Sequence, residues 1–301
     1  MARLRPFTYL ALALAFLSLS TNCDAQMDTC RVRKQVYHGG LALASGGSLA
    51  ALGALWYAKH STGKFHPYND NAEWLQMDKV GHAFAGYQLS SFASTGAAWA
   101  CYSRKNEVLM GLVVPMVYLS GIEMMDGFSR GWGASWGDLG ADLLGTMAYW
   151  GQEKAWGEQR LRLKWSFHST PYAGLRPDVL GEGWQEMVKD YNGQTYWVSA
   201  GLSSLGIIPA APEWLSLSFG YSADGMTGGH TNVVTHFPDG NGQVIQRRRQ
   251  YYLSPDIDLD RIRLRRPWQR TVLKALSFLK FPMPALEYQQ GKGLSVHALY
   301  F

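Results

Sequence analysis

Ionisable side chains mark the ends of three apolar, small-residue segments in this chain. Asp78-Lys79-Val80-Gly81-His82 opens one, Glu123 and Asp126 close a second, and Asp138 and Asp142 enter a third. Burying a charge is costly unless it is paired or hydrogen-bonded. These groups are therefore either surface groups at helix ends or one mutually satisfied cluster, and the second arrangement would be the best candidate site in the chain.

With 301 residues and 47% hydrophobic content, the chain can bury a sizeable core, which excludes a disordered protein. Residues 1–5 are basic, residues 7–19 are apolar, and Ala25 supplies a small residue at the end, the pattern of a secretory signal peptide over 1–25. A lipoprotein signal would instead modify Cys23, although Asn22 stands where a small residue is wanted. Export leaves Cys30 and Cys101 in an oxidising compartment, as a disulfide candidate or two free thiols. The net charge of +5 comes partly from the signal and partly from Arg247, Arg248, Arg249, Arg261, Arg263, Arg265, Arg266 and Arg270. In an exported protein these suit a solvated face or anionic headgroups, so the expected partner is membrane lipid or another envelope component and no nucleic acid.

Segments 38–58, 80–103, 107–125 (interrupted by Pro115) and 136–153 read as four helices of a core over 26–157. Crossing a bilayer takes roughly 20 apolar residues. The first two segments meet that length, the third does so only with its polar ends, and the fourth fails because of Asp138 and Asp142. Small residues such as Gly46, Gly86, Gly111 and Gly145 suit close approach of helices in a membrane or in a tight soluble bundle. Up-down order gathers Arg31, Arg33, Lys34, Arg104, Lys105 and Lys154 at one end, with Cys30 ahead of the first helix and Cys101 ending the second. Asp70, Glu73, Asp78, Glu123, Asp126 and Asp138 fall at the other end. The positive-inside rule would turn the basic end to the cytoplasm, whereas signal cleavage leaves the new N-terminus outside. A periplasmic or outer-membrane location removes the conflict.

After residue 157 the texture becomes strand-rich. Residues 195–202, 214–221, 243–253 and 285–300 alternate with period two, and Asp239-Gly-Asn-Gly242 signals a tight turn. Trp268, Val272, Leu276 and Leu279 form the apolar stripe of one amphipathic helix, with Arg270, Lys274 and Lys280 off it. The expected fold class is α+β: an N-terminal four-helix bundle, membrane-embedded or soluble, followed by an antiparallel region over 158–301. Four to six readable strands fall short of the roughly eight of the smallest membrane barrels. A small sheet packed on the helices is expected, even though Phe301 ends an alternating segment as in outer-membrane barrels.

Asp78 and His82 (i, i+4) share a helix face, as do Glu123 and Asp126 (i, i+3) and Asp138 and Asp142 (i, i+4). In an up-down bundle these three helix ends meet in one layer, with Lys79 and Arg130 as counter-charges. A divalent metal could be held there by His82, Glu123 and Asp138, since imidazole and carboxylate suit Zn, Mn or Fe. His82 with Asp78 could act as a general base on an ester or phosphoester, Lys79 or Arg130 stabilising the developing anion. The cluster could also bind a polar lipid or peptidoglycan-precursor headgroup, or cap helices and fix their register without any ligand. His60 and His66 read as helix-end caps, and Asp224, His230, His236 and Asp239 as turn formers. No nucleophile elbow, phosphate loop or dinucleotide fingerprint is present, so the common hydrolase, nucleotidase and dehydrogenase classes receive no support.

Asp78-Lys79-Val-Gly-His82 with Tyr87, Glu123, and Ser135-Trp-Gly-Asp138 through Asp142 to Gly145 resemble the pattern of VanZ-like membrane proteins. With Phe65-His66, Trp74-Leu-Gln-Met-Asp78, Asp126-Gly127-Phe128 and Tyr191-Asn-Gly-Gln-Thr-Tyr-Trp197, the chain looks like the YfiM-like family of predicted periplasmic lipoproteins of unknown function. The helical likeness covers roughly 37–152 and implies an envelope protein with a small helical core. It carries no established reaction and no catalytic assignments. Asp142 replaces the Asn usual in the VanZ-like pattern, which adds a negative charge. The expected role is structural or ligand-binding at the polar cluster. The alternative is a lipid- or cell-wall-directed hydrolase, metal-dependent or not, using His82 and Asp78 with Glu123, Asp126 and Asp138.

Overall fold

The computed structural model describes residues 23–55, 62–238 and 243–301. Residues 1–22 of the expected signal, the Cys23 side chain, His60 and the expected turn at 239–242 lie outside the described residues. The chain is α+β. Helices α1 (Cys23–Leu55), α2 (Met77–Trp99), α3 (Arg104–Phe128) and α4 (Trp136–Ala155) precede strands β1 (Leu161–Phe167), β2 (Gln194–Gly201), β3 (Leu215–Asp224), β4 (Arg248–Ile257), β5 (Met283–Gln289) and β6 (Gly293–Tyr300). Short helices α5 (Tyr172–Leu175), α6 (Pro177–Leu180) and α7 (Glu186–Lys189) lie between β1 and β2, and α8 (Pro267–Leu276) joins β4 to β5.

Among the described residues four long helices are present, and close packing joins α2, α3 and α4 but not α1. A Cβ at Gly145 of α4 would lie 1.8 Å from the Ala83 carbonyl oxygen of α2, and one at Gly86 would lie 2.4 Å from the Asp142 carbonyl oxygen. Glycine is required at both positions because the α2 and α4 backbones touch there. Gly39, Gly46, Gly47 and Gly53 of α1 face open space instead. The α1 helix leans on the bundle through Tyr37, whose hydroxyl donates to the Ala93 carbonyl at 2.9 Å, and through Ser48, which meets the Tyr118 hydroxyl at 2.8 Å. It begins earlier than the sequence suggests, so Cys30 lies inside it rather than ahead of it. Cys30 and Cys101 are joined as a disulfide at the basic end. Helix α3 runs unbroken through buried Pro115. A proline removes one helical N–H donor, yet packing on α2 and α4 holds the helix together. By length and composition, α3 is also the one described helix that could cross a membrane.

The six strands form one antiparallel sheet in the order β1 to β6. Its two faces have opposite chemistry. One face carries Lys164, Ser166, Thr195, Trp197, Ser199, Ser218, Ser222, Tyr252, Ser254 and Asp256, all buried. The sheet curls around this face: Tyr300 of β6 meets Trp197 and Tyr252, and its hydroxyl lies 3.0 Å from Thr195 Oγ1 of β2. Residue Lys280, on the way into β5, donates its backbone N–H to the Trp165 carbonyl and covers the free edge of β1. The opposite face is apolar. Helix α2 packs against its β1–β2 end, through Phe84 on Tyr196 and Gln88 bonded to the Leu163 carbonyl.

Candidate functional site

Three helix ends and the lip of the sheet build one buried polar cluster. A turn at Glu73–Gln76 leads into α2 with Trp74, Leu75 and Gln76 all at positive φ. Such left-handed backbone in non-glycine residues persists only where surrounding contacts over-determine it. Here the Leu75 carbonyl accepts from Arg249 Nη1 at 2.9 Å and from the Tyr221 hydroxyl. The sheet thus fixes where α2 begins, and so where Asp78, Lys79 and His82 point.

Lys79 Nζ lies 2.6 Å from Asp70 Oδ1, 3.0 Å from Asp78 Oδ2 and 2.6 Å from Asp138 Oδ1. His82 Nδ1 lies 2.9 Å from Asp142 Oδ1, and its Nε2 stands 3.7 Å from Asp138 and 3.9 Å from Asp78. The Tyr191 hydroxyl donates to Asp78 Oδ1 at 2.6 Å. Ser135 caps α4 by accepting from the Asp138 N–H, and its hydroxyl donates to Asp70 Oδ1 at 2.6 Å. Its backbone N–H donates to Glu123 Oε2 at 2.8 Å. The other Glu123 oxygen, Oε1, and Asp142 Oδ2 are buried with no hydrogen-bond partner among the described residues.

The geometry brings Asp78, Lys79, His82, Glu123, Asp138 and Asp142 together. Asp126 lines the adjoining cavity, whereas Arg130 is exposed with its side chain beside Gly63. His66 Nε2 sits 3.1 Å from the Ser129 carbonyl at the end of α3, and His230 meets Glu73 on the surface. Asp70, Ser135 and Tyr191 also belong to the cluster: the sequence places Asp70 at the acidic end and Ser135 and Tyr191 in the motifs that carry the family resemblance, but gives none of them a role in the site. Tyr191 is 113 residues from the aspartate it binds and lies in a stretch that reads as a turn.

The charge balance shifts the titrations. Burial works against ionisation at Asp78, but His82 and Lys79 outweigh it and hold its carboxyl below the ordinary value. Burial pushes Glu123 up to about 7, and burial together with the neighbouring Asp78 charge pushes Asp138 up to about 8. Burial also raises Asp142. At His82 burial opposes the imidazolium, but the Asp142 bond and the Asp78 and Asp138 charges overcome it and carry the ring to about 10. The ligand atoms of Asp78, His82 and Asp138, and those of His82, Glu123 and Asp142, each lie within 4.8 Å of one another. Either trio offers the nitrogen and oxygen donors that suit Zn, Mn or Fe. A cavity of about 490 Å³ opens onto the cluster, with Asp78, His82 and Asp138 in its wall beside Trp165, Tyr191 and Tyr196.

These features define an acid-rich pocket between a tight helical core and a sheet. Residues 66–150, which carry most of the cluster, match the family model described as "Predicted periplasmic lipoprotein (DUF2279)". That description agrees with a periplasmic cell-envelope location and supports a periplasmic lipoprotein of unknown function. No curated protein and no solved structure matches the chain.

Proposed function

We propose that this is an exported envelope protein whose VanZ-like helical core binds a cation in the acid–histidine pocket, without catalysis. The observation that carries this reading is the pair of buried carboxylate oxygens, Glu123 Oε1 and Asp142 Oδ2, which lack a protein partner. Buried carboxylate oxygens are stable when something positive or hydrogen-donating meets them. Five acids, Asp70, Asp78, Glu123, Asp138 and Asp142, also face only Lys79 and His82, and Glu123, Asp138 and Asp142, raised above their ordinary values, keep protons that a cation could replace. A divalent metal would take His82 with Glu123 and Asp142, or with Asp78 and Asp138, and would supply the positive charge that the acids lack.

The hydrolase alternative finds less support. His82 stands among three carboxylates that favour its protonated form, and a protonated ring is no general base, whereas a divalent cation entering the site would displace that proton as it binds. Lys79 is already engaged by three acids, which leaves little of its charge for a developing anion. Elemental analysis of protein purified from envelopes, beside His82→Ala and Asp138→Asn, tests the proposal. Bound metal in the parent that is lost from folded His82→Ala supports it. Metal-free parent protein, with unfolding of His82→Ala, would favour a purely structural cluster.

A further inference from the structure

The sheet is inside out by the standard of a water-soluble protein. Register carries one outward row across all six strands: Leu163, Val198, Phe219, Leu253, Leu286 and Val296. The row two residues along is aromatic: Trp165, Tyr196 and Tyr221 meet the pocket and the lead-in to α2, and Tyr251, Tyr288 and Leu294 carry the row onto the end that no described helix covers. Only the β1–β2 end lies under α2. Phe219, Leu253, Leu286 and Val296 are 52%, 46%, 41% and 79% exposed.

The inward rows are the polar ones. Lys164 and Asp256, both fully buried, pair at 2.7 Å. Ser199 donates to Asp256 Oδ2 at 2.6 Å, and Lys280 donates to Ser254 Oγ and to the Pro255 and Phe281 carbonyls. In water an antiparallel sheet turns its apolar face to the core. An apolar exterior, a polar interior and an adjoining aromatic belt are the arrangement seen where a sheet's surroundings are hydrocarbon.

Helix α8 gives an independent second observation. It has a strong apolar stripe of Trp268, Val272 and Leu276, yet buries no residue. Arg265, Arg266, Arg270 and Lys274 surround that stripe and are exposed. A basic amphipathic helix with its apolar side uncovered fits the headgroup region of an anionic bilayer, which both its charge and its stripe complement.

We propose that the outer face of β3–β6 is seated in the hydrocarbon of an anionic phospholipid bilayer, with α8 lying at the headgroup level beside it. This does not rest on cation binding, and either reading can fail alone. The test is residue-resolved labelling of the full chain in native envelopes with a photoactivatable diazirine phospholipid. Successive strand residues point to opposite faces, so Leu294 and Val296 should take about tenfold more label than Ser295 and His297. Leu286 should be labelled and Glu287 spared. Because the readout is by position, an anchor elsewhere in the chain cannot mimic it. Label that avoids β5 and β6, or that enters both faces equally, would overturn the proposal. So would oxidation of Val296→Cys chains into crosslinked pairs without lipid labelling, which would make the face an interface between two copies.

Discussion

The helical core and the sheet both bury charge, and they do it differently. In the sheet, one carboxylate, Asp256, serves two lysines, and Lys164 and Lys280 spend their remaining donors on backbone carbonyls and a serine. In the helical core, four acids share Lys79 and His82. Among the described residues, Glu123 stands within 4.8 Å of His82 without an ion pair, and two carboxylate oxygens are left without a protein partner. A buried ionic network that only holds a fold should satisfy its charged members, as Asp256, Lys164 and Lys280 do. Among the described residues, the buried side-chain atoms on the sheet side without a hydrogen-bond partner are the Ser218 hydroxyl and Arg261 Nε, neither of them an acid. With its acids ionised the helical cluster is short of positive charge, a shortfall met either by the protons that Glu123, Asp138 and Asp142 retain or by a bound cation that displaces them. This is the physical reason to regard it as a binding site.

The largest expected difference between the regions comes from neutralising one acid in each. Asp256→Asn would leave two buried lysines without a carboxylate and should cost about 3–5 kcal/mol in denaturant unfolding. Asp138→Asn removes an acid that the fold already keeps partly protonated, and should change stability by less than about 1 kcal/mol. Comparable losses at both positions would end the distinction between a satisfied network and an acid-rich one. Replacing Cys30 and Cys101 together by serine should cost about 2–4 kcal/mol, because the bridge closes a long loop. That loss should be similar at every pH, since the bridge lies at the basic end, away from the cluster.

A subtler contrast is pH dependence. Glu123 and Asp138 hold their protons to about 7 and about 8, and His82 holds its proton to about 10. All three bind protons more tightly folded than unfolded, so stability should be greatest in mild acid and fall as pH rises through these values. For His82 the contribution is complete below about 6.5 and is lost toward 10. Asp70 and Asp78, held low by Lys79 and its neighbours, act in the opposite sense and only in stronger acid. Glu123→Gln should flatten the slope between about pH 5 and 7, as chemical denaturation at each pH would show. An unchanged slope would mean that Glu123 does not carry that proton.

Much of this architecture is legible in the chain itself. The i, i+4 and i, i+3 acid pairs mark three helix ends, and up-down order is enough to make them meet. The strand alternation at Leu215-Ser-Leu-Ser-Phe-Gly-Tyr221 is equally plain. Which face is inside is harder to read: periodicity says that the faces differ, but only the curl that brings Tyr300 onto Trp197 shows the serine face to be the buried one. Strand β1 is hidden by its charged members, since Arg162 and Lys164 look like solvent residues until Asp258 and Asp256 are placed beside them. The contributions of Asp70, Ser135 and Tyr191 depend on contacts far along the chain. The glycines of α1 suggest a fourth packed helix because composition cannot say whether a partner is present.

The most direct test of cation binding is thermal unfolding of chelator-treated protein during titration with Zn²⁺ or Mn²⁺, comparing the parent chain with Glu123→Gln. A ligand that binds only the folded state stabilises it by about 2.7 kcal/mol at a hundred times its Kd. The parent's midpoint should therefore climb steadily with metal concentration, while Glu123→Gln responds far more weakly. The same response in both chains, or none in the parent, would contradict the account.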